Sequence, residues 1–430
     1  MTLGLWVLVA VFVGGMLVRF PIAHTMMASG ICYLIVTKQD IGLLVDQVLT
    51  TMLTMYVLLA IPMFIFAANL MNAATVSERL WNAADAVAGR WRGGLGHVSV
   101  LVSVAFSSMS GSAISDAAGP GMVSVRMMRD VAKYPAGFSV ALVAAAATIA
   151  PIIPPSIALV IYALLSNASV GALFLGGVLP GLIMAAACMI VVAIYARRLN
   201  LPRGAIVPLR DVPCALARAV VPMTLPAVLL GGIWGGIFTP TEAAAVAAFY
   251  ALMLGAFVYR KISLRKFVAA VHESVTASST VMLLVAGAFI INYAITNEQL
   301  SDRFALLFQS ADLSRTEFLL LVNVAFLVLG CFLDMAVLLL VFVPILLPTA
   351  RALGIDMVHF GVVVTVNFMI GMITPPYGVL LYVLSSLTKV PVGEVVRAVW
   401  PFVLALIAAL MTMVFVPETV TWLPRAFGFG

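Results

Sequence analysis

The chain has 430 residues, of which 64% are hydrophobic and 9% charged, with a mean hydropathy of +1.18 and a formal net charge of +6. A soluble domain is about a quarter charged, and many apolar runs here are long enough to cross about 30 Å of hydrocarbon. The Lys and Arg residues stand at the ends of these runs and form no dense cluster. This distribution excludes a nucleic-acid-binding surface and predicts a polytopic helical membrane protein.

In chain order, the apolar runs predict eight uninterrupted spans and two spans interrupted by prolines, which makes ten crossings. The first run lacks a basic segment before it and is expected to be an uncleaved span that enters from outside. Two further apolar stretches have a polar centre and are expected to be re-entrant hairpins. The uninterrupted spans lie near 3–18, 22–36, 51–71, 170–196, 219–236, 241–259, 273–293 and 399–416, the broken spans at 135–168 and 357–387, and the hairpins at 98–125 and 316–350. Amphipathic segments near 39–50, 75–91, 261–272 and 295–312 are expected along the membrane surface.

This order of spans divides the 23 Lys and Arg residues unequally between the two sides of the membrane. Eighteen fall on one side, which the positive-inside rule makes cytoplasmic, and both termini are therefore expected to face outward. The five on the outer side are Lys38, Arg303, Arg315, Arg351 and Arg425. The four cysteines lack the spacing of a metal site or a disulfide framework, so packed, inert thiols are expected.

A proline pair recurs at an offset of 221 residues, as Pro154 and Pro155 in "IIPPSIALVIYA" and as Pro375 and Pro376 in "ITPPYGVLLYVL". Five crossings separate the corresponding upstream prolines at 21 and 240. Because five is odd, the two halves are expected to have inverted topology. The predicted division is a first span at 1–20, repeat 1 at 21–218, a linking span at 219–239, repeat 2 at 240–416 and a tail at 417–430. Broken helices at corresponding places in two inverted halves indicate the substrate site of a secondary transporter.

A helix broken in mid-membrane exposes backbone carbonyls and half-helix ends, which can bind ions. The first hairpin tip, "FSSMSGSAISDAAG", adds hydroxyl groups that suit a hard cation such as Na+, although small residues also allow close helix packing. The second hairpin has fewer hydroxyl groups, and its Asp334 is either functional or a helix cap, as is Asp116 in the first. A proline pair alone is compatible with a simple kink. The candidate site residues are Ser108, Ser110, Gly111, Ser112, Thr148, Pro151, Pro154, Pro155 and Ser156 in repeat 1, and Gly330, Asp334, Asn367, Gly371, Thr374, Pro375, Pro376 and Gly378 in repeat 2.

Two other motifs have structural interpretations. "FTPTEAAAV" predicts a helix start with Thr239 or Thr241 as the cap and Glu242 in the first turn, and an ion-binding role for Glu242 is the alternative. "SMSGSA" is similar to the GxSG of serine intramembrane proteases, but Ser108 stands where Gly is needed and no His pairs with it. An enzyme is therefore not expected, and the isolated histidines are assigned to packing or to the membrane surface.

At these residues the chain resembles the large membrane subunit of the tripartite ATP-independent periplasmic (TRAP) transporters, the DctM- or SiaM-type permeases. The matching stretches run from about residue 20 to 402. They include "IPMFIFAANLM", "SGSAISDAAG", "APIIPPSIALVIYA", "GALFLGGVLPG", "GGIFTPTEAAAVA" and "DMVHFGVVVTVNFMIGMITPP".

The resemblance implies a bacterial inner-membrane secondary transporter, with periplasmic termini, that is driven by a Na+ gradient and moves a transport domain like an elevator. It implies no cofactor besides Na+ as coupling ion, and an organic anion delivered by a periplasmic DctP-type binding protein. A small four-helix DctQ-type subunit is implied as a separate chain. Family Na+ sites place Ser108, Ser110, Ser112, Asn367 and Thr374 among the candidate ligands. A stand-alone divalent-anion symporter, which has the same inverted hairpin layout, is the alternative.

Overall fold

The computed structural model describes residues 2–74, 76–203, 208, 210, 212–310 and 313–429. Within these ranges the regular structure is helical, apart from one isolated bridge between Arg92 and Arg203. The predicted all-α class is confirmed. Thr75 and residues 311–312, at the ends of two predicted surface segments, lie outside the described ranges.

The helices follow the predicted order of spans and hairpins. In the first half they are α1 (Leu3–Leu17), α2 (Ile22–Val36), α3 (Gly42–Thr54), α4 (Ala60–Ala73), α5 (Val76–Ala88), α6 (Gly94–Ser110), α7 (Ala113–Asp116), α8 (Met122–Arg126), α9 (Ala136–Ala147), α10 (Ile157–Ser166) and α11 (Val170–Arg198). Then come α12 (Val212–Trp234), α13 (Pro240–Met253), α14 (Leu264–Asn297), α15 (Leu300–Ser310), α16 (Arg315–Gly330), α17 (Met335–Val337), α18 (Val343–Ala352), α19 (Met357–Gly371), α20 (Val379–Thr388), α21 (Val392–Phe415) and α22 (Glu418–Ala426). A 3-10 turn at Tyr56–Leu59 precedes α4, and π-helical turns occur at Ala117–Gly121, Met127–Val131, Leu254–Val258 and Leu338–Phe342.

Seven helical stretches in the described part of the chain are long and apolar enough to cross a membrane. The predicted surface segment at 261–272 does not form a separate helix, because α14 begins at Leu264 and continues unbroken for 34 residues. Ser263 caps this helix and no proline interrupts it. At 1.5 Å per residue α14 is about 51 Å long, more than the roughly 30 Å of hydrocarbon. The predicted tail also contains a helix, α22, which packs on α11.

The helices form two bundles. The outer bundle consists of α1, α2, α4, α13 and α14, and the hairpin bundle contains both hairpins, the broken spans, α11 and α21. Hairpin 1 is α6 with a second arm at residues 113–131, and hairpin 2 is α16 with a second arm at 335–352. In hairpin 1, α6 contacts its second arm along its length, so the chain returns to the side from which it came.

Corresponding helices of the two halves make reciprocal contacts. In the outer bundle α2 packs on α14, and α4 packs on α13. These two contacts correspond, because α13 is the repeat 2 counterpart of α2 and α14 is that of α4. In the hairpin bundle α10 contacts the second arm of hairpin 2, and α20 contacts the second arm of hairpin 1. The half-helices are thus held by the hairpin of the opposite half. These paired contacts support the predicted inverted repeat.

Two arginines form corresponding hydrogen bonds between the halves of the chain. Arg129, at the end of hairpin 1, donates from Nη1 to the carbonyl of Thr388 at 3.2 Å. Arg351, at the end of hairpin 2, donates from Nη2 to the carbonyl of Ser166 at 2.7 Å. Each guanidinium therefore meets the last carbonyls of a half-helix, α20 or α10, where the helix dipole favours a positive charge. We call these two hydrogen bonds the arginine clamps.

Replacing either clamp arginine by alanine is expected to destabilise the hairpin bundle. A charged donor to a carbonyl contributes about 1.5–3 kcal/mol, so Arg351→Ala and Arg129→Ala should each lower the thermal unfolding midpoint of the detergent-purified chain. Arg126→Ala is the control, because Arg126 is exposed on the same arm as Arg129. Equal midpoints for the clamp and control variants would contradict the assignment.

Candidate functional site

The tip of hairpin 1 packs against the break in the first broken span. Helix α6 ends at Ser110, and Gly111 turns the chain with φ +58°. A Cβ at Gly111 would lie 2.4 Å from the carbonyl oxygen of Pro155, so only glycine allows this approach. Ser112 then caps α7 by accepting the N–H of Ser115 at 3.5 Å.

The break itself is fully buried. Thr148, Pro151, Pro154, Pro155 and Ser156 are all buried, with a cis peptide bond between Pro154 and Pro155. The Ser156 hydroxyl donates to the carbonyl of Pro151 and accepts the N–H of Leu159 at 3.1 Å, which starts α10. In the described chain no backbone N–H donates to the carbonyls of Thr148 or of residue 150. These oxygens remain available to a ligand.

Repeat 2 has the same arrangement with different side chains. A Cβ at Gly371 would lie 2.9 Å from the Cα of Gly330, so hairpin 2 touches the second broken span through glycines. Asn367 donates from Nδ2 to the backbone oxygen and to Oδ1 of Asn323, at 2.8 and 2.7 Å. The Oδ1 of Asn367 is buried without a donor. The break contains Thr374, the cis pair Pro375–Pro376 and Gly378, which has φ +41°. The Thr374 hydroxyl donates back to the carbonyl of Ile370, near the end of α19, at 2.7 Å.

Asp334 and Asp116 have different roles in the structure. Asp334 accepts the N–H of Ala336 at 2.9 Å and caps α17, so the cap interpretation is confirmed for it. The cap interpretation is wrong for Asp116, because Ser112 occupies that position. Asp116 is fully buried and accepts the hydroxyl of Ser103 at 2.8 Å, which joins the two arms of hairpin 1.

The hydroxyl groups of Ser108 and Ser110 and the predicted helix cap at Thr239 have defined environments in the structure. The Ser108 hydroxyl donates to the carbonyl of residue 105 at 2.6 Å, within its own helix. The Ser110 hydroxyl is buried with no hydrogen-bond partner, although its side chain lines a cavity. Thr239 and Glu242 form a capping box, so the structural interpretation of that motif is confirmed. All four cysteines are free thiols.

A cavity of about 790 Å³ lies between hairpin 1 and the outer bundle. The tip of hairpin 1 forms one wall, with Ser110 and Ser112, and α4 and α14 form the other, with Asn69, Asn72 and Glu273. No residue of this second wall is among the site residues predicted from the sequence. The sequence signals for it are the amides of Asn69 and Asn72 at the end of the predicted span at 51–71, and the carboxylate of Glu273 at the first residue of the predicted span at 273–293. An ionisable residue in a membrane segment is a functional hypothesis by default.

The chain matches known proteins along nearly its whole length. The family model of the DctM component of tripartite ATP-independent periplasmic transporters matches residues 8–419. The sialic acid TRAP transporter large permease protein SiaM of Vibrio cholerae is 38% identical over 97% of this chain and 98% of its own. The C4-dicarboxylate TRAP transporter large permease protein DctM of Pseudomonas aeruginosa is 37% identical over 87% of this chain and 88% of its own.

Two further proteins extend the comparison. The 2,3-diketo-L-gulonate TRAP transporter large permease protein YiaN of Escherichia coli is 35% identical over 95% of this chain and 96% of its own. The crystal structure of the YdaH transporter of Alcanivorax borkumensis is similar in fold, with a TM-score of 0.59 over 90% of this chain and 87% of that one. At 17% identity the YdaH likeness concerns the fold alone.

The glycine contact of repeat 2 provides a test of the site's packing. Gly371→Ala places a methyl group against the backbone of Gly330 and should force hairpin 2 away from the break, at a cost of about 1–3 kcal/mol. The expected result is a lower thermal unfolding midpoint of the purified chain. Gly393→Ala is the matched control, because its Cβ would meet nothing within 4 Å. A midpoint unchanged in Gly371→Ala would show that the two backbones are not in contact.

Proposed function

The chain belongs to the DctM family of TRAP transporter large permease subunits, and from this membership we propose that it carries out Na+-coupled uptake of an organic anion. The membership identifies a membrane transport protein and not an enzyme. Symport with Na+ and the nature of the anion are the proposed parts. The unpaired oxygens at the hairpin tip and at the two breaks support Na+ coupling, and the names of the relatives support an organic anion.

Unpaired buried oxygens are the observation that supports Na+ coupling. The Ser110 hydroxyl and the Oδ1 of Asn367 are buried without partners, and no backbone N–H donates to the carbonyl of Thr148 among the described residues. A buried polar atom without a partner is costly, and hard cations prefer oxygen ligands. We assign a Na+ site at the hairpin 1 tip and break, and a second beside Asn367 and Thr374.

We propose that the cavity beside hairpin 1 receives the anion. Rocking or sliding of the hairpin bundle against the outer bundle, as in an elevator, would carry the anion with Na+ across the membrane. If two Na+ accompany a monoanion, one net charge moves inward and a membrane potential contributes about 2.3 kcal/mol per 100 mV. The proposed orientation places both termini in the periplasm and the chain in the bacterial inner membrane.

The family membership supports two proposed partners. These are a small four-helix membrane subunit and a periplasmic binding protein that delivers the anion. The relatives are named for sialic acid, C4-dicarboxylates and 2,3-diketo-L-gulonate. Because these relatives have similar sequence identities to this chain, the identities favour none of the three anions. The stand-alone symporter is disfavoured, because the chain matches large permease subunits along nearly its whole length.

Uptake into proteoliposomes tests this function. Vesicles would contain the chain with its small subunit, and labelled carboxylates would be added with or without binding protein and with Na+ or K+ outside. Uptake is expected only when both Na+ and binding protein are present. Uptake without binding protein would instead support the stand-alone symporter, and equal uptake in K+ would refute Na+ coupling.

Removal of one hydroxyl tests the assigned Na+ site. Ser110→Ala should raise the Na+ concentration for half-maximal uptake about tenfold, which corresponds to about 1.4 kcal/mol of lost binding. Ser99→Ala is the matched control, because Ser99 is also buried on α6 with an unpartnered hydroxyl but does not line the cavity. An unchanged Na+ dependence in Ser110→Ala would remove this hydroxyl from the site.

A further inference from the structure

Asn72 and Asn292 occupy corresponding positions in the two repeats. The offset between corresponding residues is 219 at the prolines 21 and 240, and 221 at the π-helical turns that follow α7 and α17. Asn72 and Asn292 lie between these points of the repeat, on the counterpart helices α4 and α14, and are 220 residues apart. Each donates from Nδ2 to the second arm of the hairpin in its own half. The two asparagines therefore show the same boundary contact in two copies.

The partners of the two asparagines differ in position by one helical turn. Asn292 donates to the carbonyl of Leu340 at 3.2 Å, and Leu340 is the third residue of the π-helical turn in hairpin 2. The third residue of the corresponding turn in hairpin 1 is Gly119. Asn72 donates instead to the hydroxyl of Ser115 at 3.3 Å, four residues earlier on the arm. One helical turn is about 5.4 Å along the axis, so the two hairpins differ by about that distance in their register against the outer bundle.

Gly119 leaves room for Asn72 to change its partner. A Cβ at Gly119 would lie 2.9 Å from Oδ1 and 3.7 Å from Nδ2 of Asn72. Because glycine has no Cβ, the amide already lies close to the backbone of the π-helical turn. A shift of one turn would bring the carbonyl of Gly119 to this amide with no side chain in the way.

The two registers coincide with an open and a closed boundary between the bundles. Asn69 on α4 and Ala118 in hairpin 1 line the cavity of about 790 Å³. Their counterparts in repeat 2 are Phe289 and Leu339, which are both buried. Helix α14 packs there on α17 and on the π-helical turn of hairpin 2. The boundary is thus open where the asparagine binds the earlier position and closed where its counterpart binds the later one.

We infer that closure of the cavity shifts hairpin 1 by one helical turn, so that Asn72 exchanges the Ser115 hydroxyl for the Gly119 carbonyl. In the same movement Asn292 releases Leu340, and a corresponding cavity opens between α14 and hairpin 2. The inference rests on the proposed movement of the hairpin bundle and assigns its step and its positioning residues. Switching proteins use such one-turn shifts between two discrete packings. Because the repeats are inverted, the second cavity would open toward the opposite side of the membrane.

Two reporter thiols test the exchange in the chain with its small subunit in lipid nanodiscs, where both faces of the membrane meet the reagent. Ala118→Cys lies in the open cavity, and Ala336→Cys lies in the closed boundary at the counterpart of Ser115. A charged maleimide labels the thiols, and mass spectrometry of the labelled peptides separates them from the native cysteines. Rates are compared at temperatures at which Cys188, fully buried on α11, stays unlabelled, so that unfolding does not contribute. Ala118→Cys is expected to react faster than Ala336→Cys.

Asn292→Ala removes the donor to Leu340 and should shift the equilibrium toward the closed cavity about fivefold, the factor that a neutral hydrogen bond contributes. The labelling rate of Ala336→Cys is then expected to rise about fivefold, and that of Ala118→Cys to fall. Thr276→Ala is the control, because Thr276 is exposed on α14 and its hydroxyl donates only within its own helix. Rates that rise at both reporters would indicate a general loosening. That result, or no change at either reporter, would overturn the inference.

Gly119→Ala tests the new partner of Asn72. Its methyl group would obstruct the approach of the amide to the carbonyl, so in the Asn292→Ala background it should return the Ala336→Cys rate toward the wild-type value. Gly231→Ala, whose Cβ would meet nothing within 4 Å, should leave the rate raised. A rate in Gly119→Ala that equals or exceeds the rate in Gly231→Ala would overturn the exchange. These measurements need no transported anion, so their failure would leave Na+-coupled uptake standing, and uptake without Na+ dependence would leave the one-turn shift standing.

Discussion

Hydrocarbon offers no hydrogen bonds, and this constraint determines where the chain can interrupt its helices. A break is tolerated in a membrane only where protein or a water-filled cavity surrounds the freed backbone groups. Both breaks meet this condition through close backbone contacts: Gly111 lies against the carbonyl of Pro155, and Gly330 lies against Gly371. The hairpins thus shield the breaks from lipid. The same contacts leave carbonyl oxygens in a protected place, where an ion can replace the missing donors.

The protection of each break requires contributions from both halves of the chain. Helix α10 of the first half is held by the second arm of hairpin 2, and α20 of the second half by that of hairpin 1. The arginine clamps of Arg129 and Arg351 fasten the ends of these half-helices across the same boundary. Neither half has a complete set of contacts alone. The hairpin bundle is consequently one interlocked unit, although its sequence divides into two repeats.

Local features of the fold were predictable from the sequence, and long-range pairings were not. The proline pairs located both breaks, and the capping box at Thr239 and Glu242 located the start of α13, because these signals lie within a few residues. The segment at 261–272 was predicted as a separate helix because its polar residues resemble those of a membrane-surface helix, but most of it forms the first turns of α14. The pairing of Asn367 with Asn323, 44 positions apart, leaves no local signal. The hydroxyl-rich hairpin tip was predictable, whereas the wall that faces it across the cavity belongs to other helices.

The side-chain hydrogen bonds that join the two bundles have neutral donors, unlike the arginine clamps within the hairpin bundle. Among the described residues, side-chain hydrogen bonds join the bundles at two equivalent places: Asn72 on α4 donates to Ser115 at 3.3 Å, and Asn292 on α14 donates to the carbonyl of Leu340 at 3.2 Å. Each contributes about 1 kcal/mol. The two clamps inside the hairpin bundle have charged donors, which contribute about 1.5–3 kcal/mol each. The proposed displacement of the hairpin bundle as a unit would break the two neutral hydrogen bonds and keep both clamps, and the cavity lies along the boundary between the bundles.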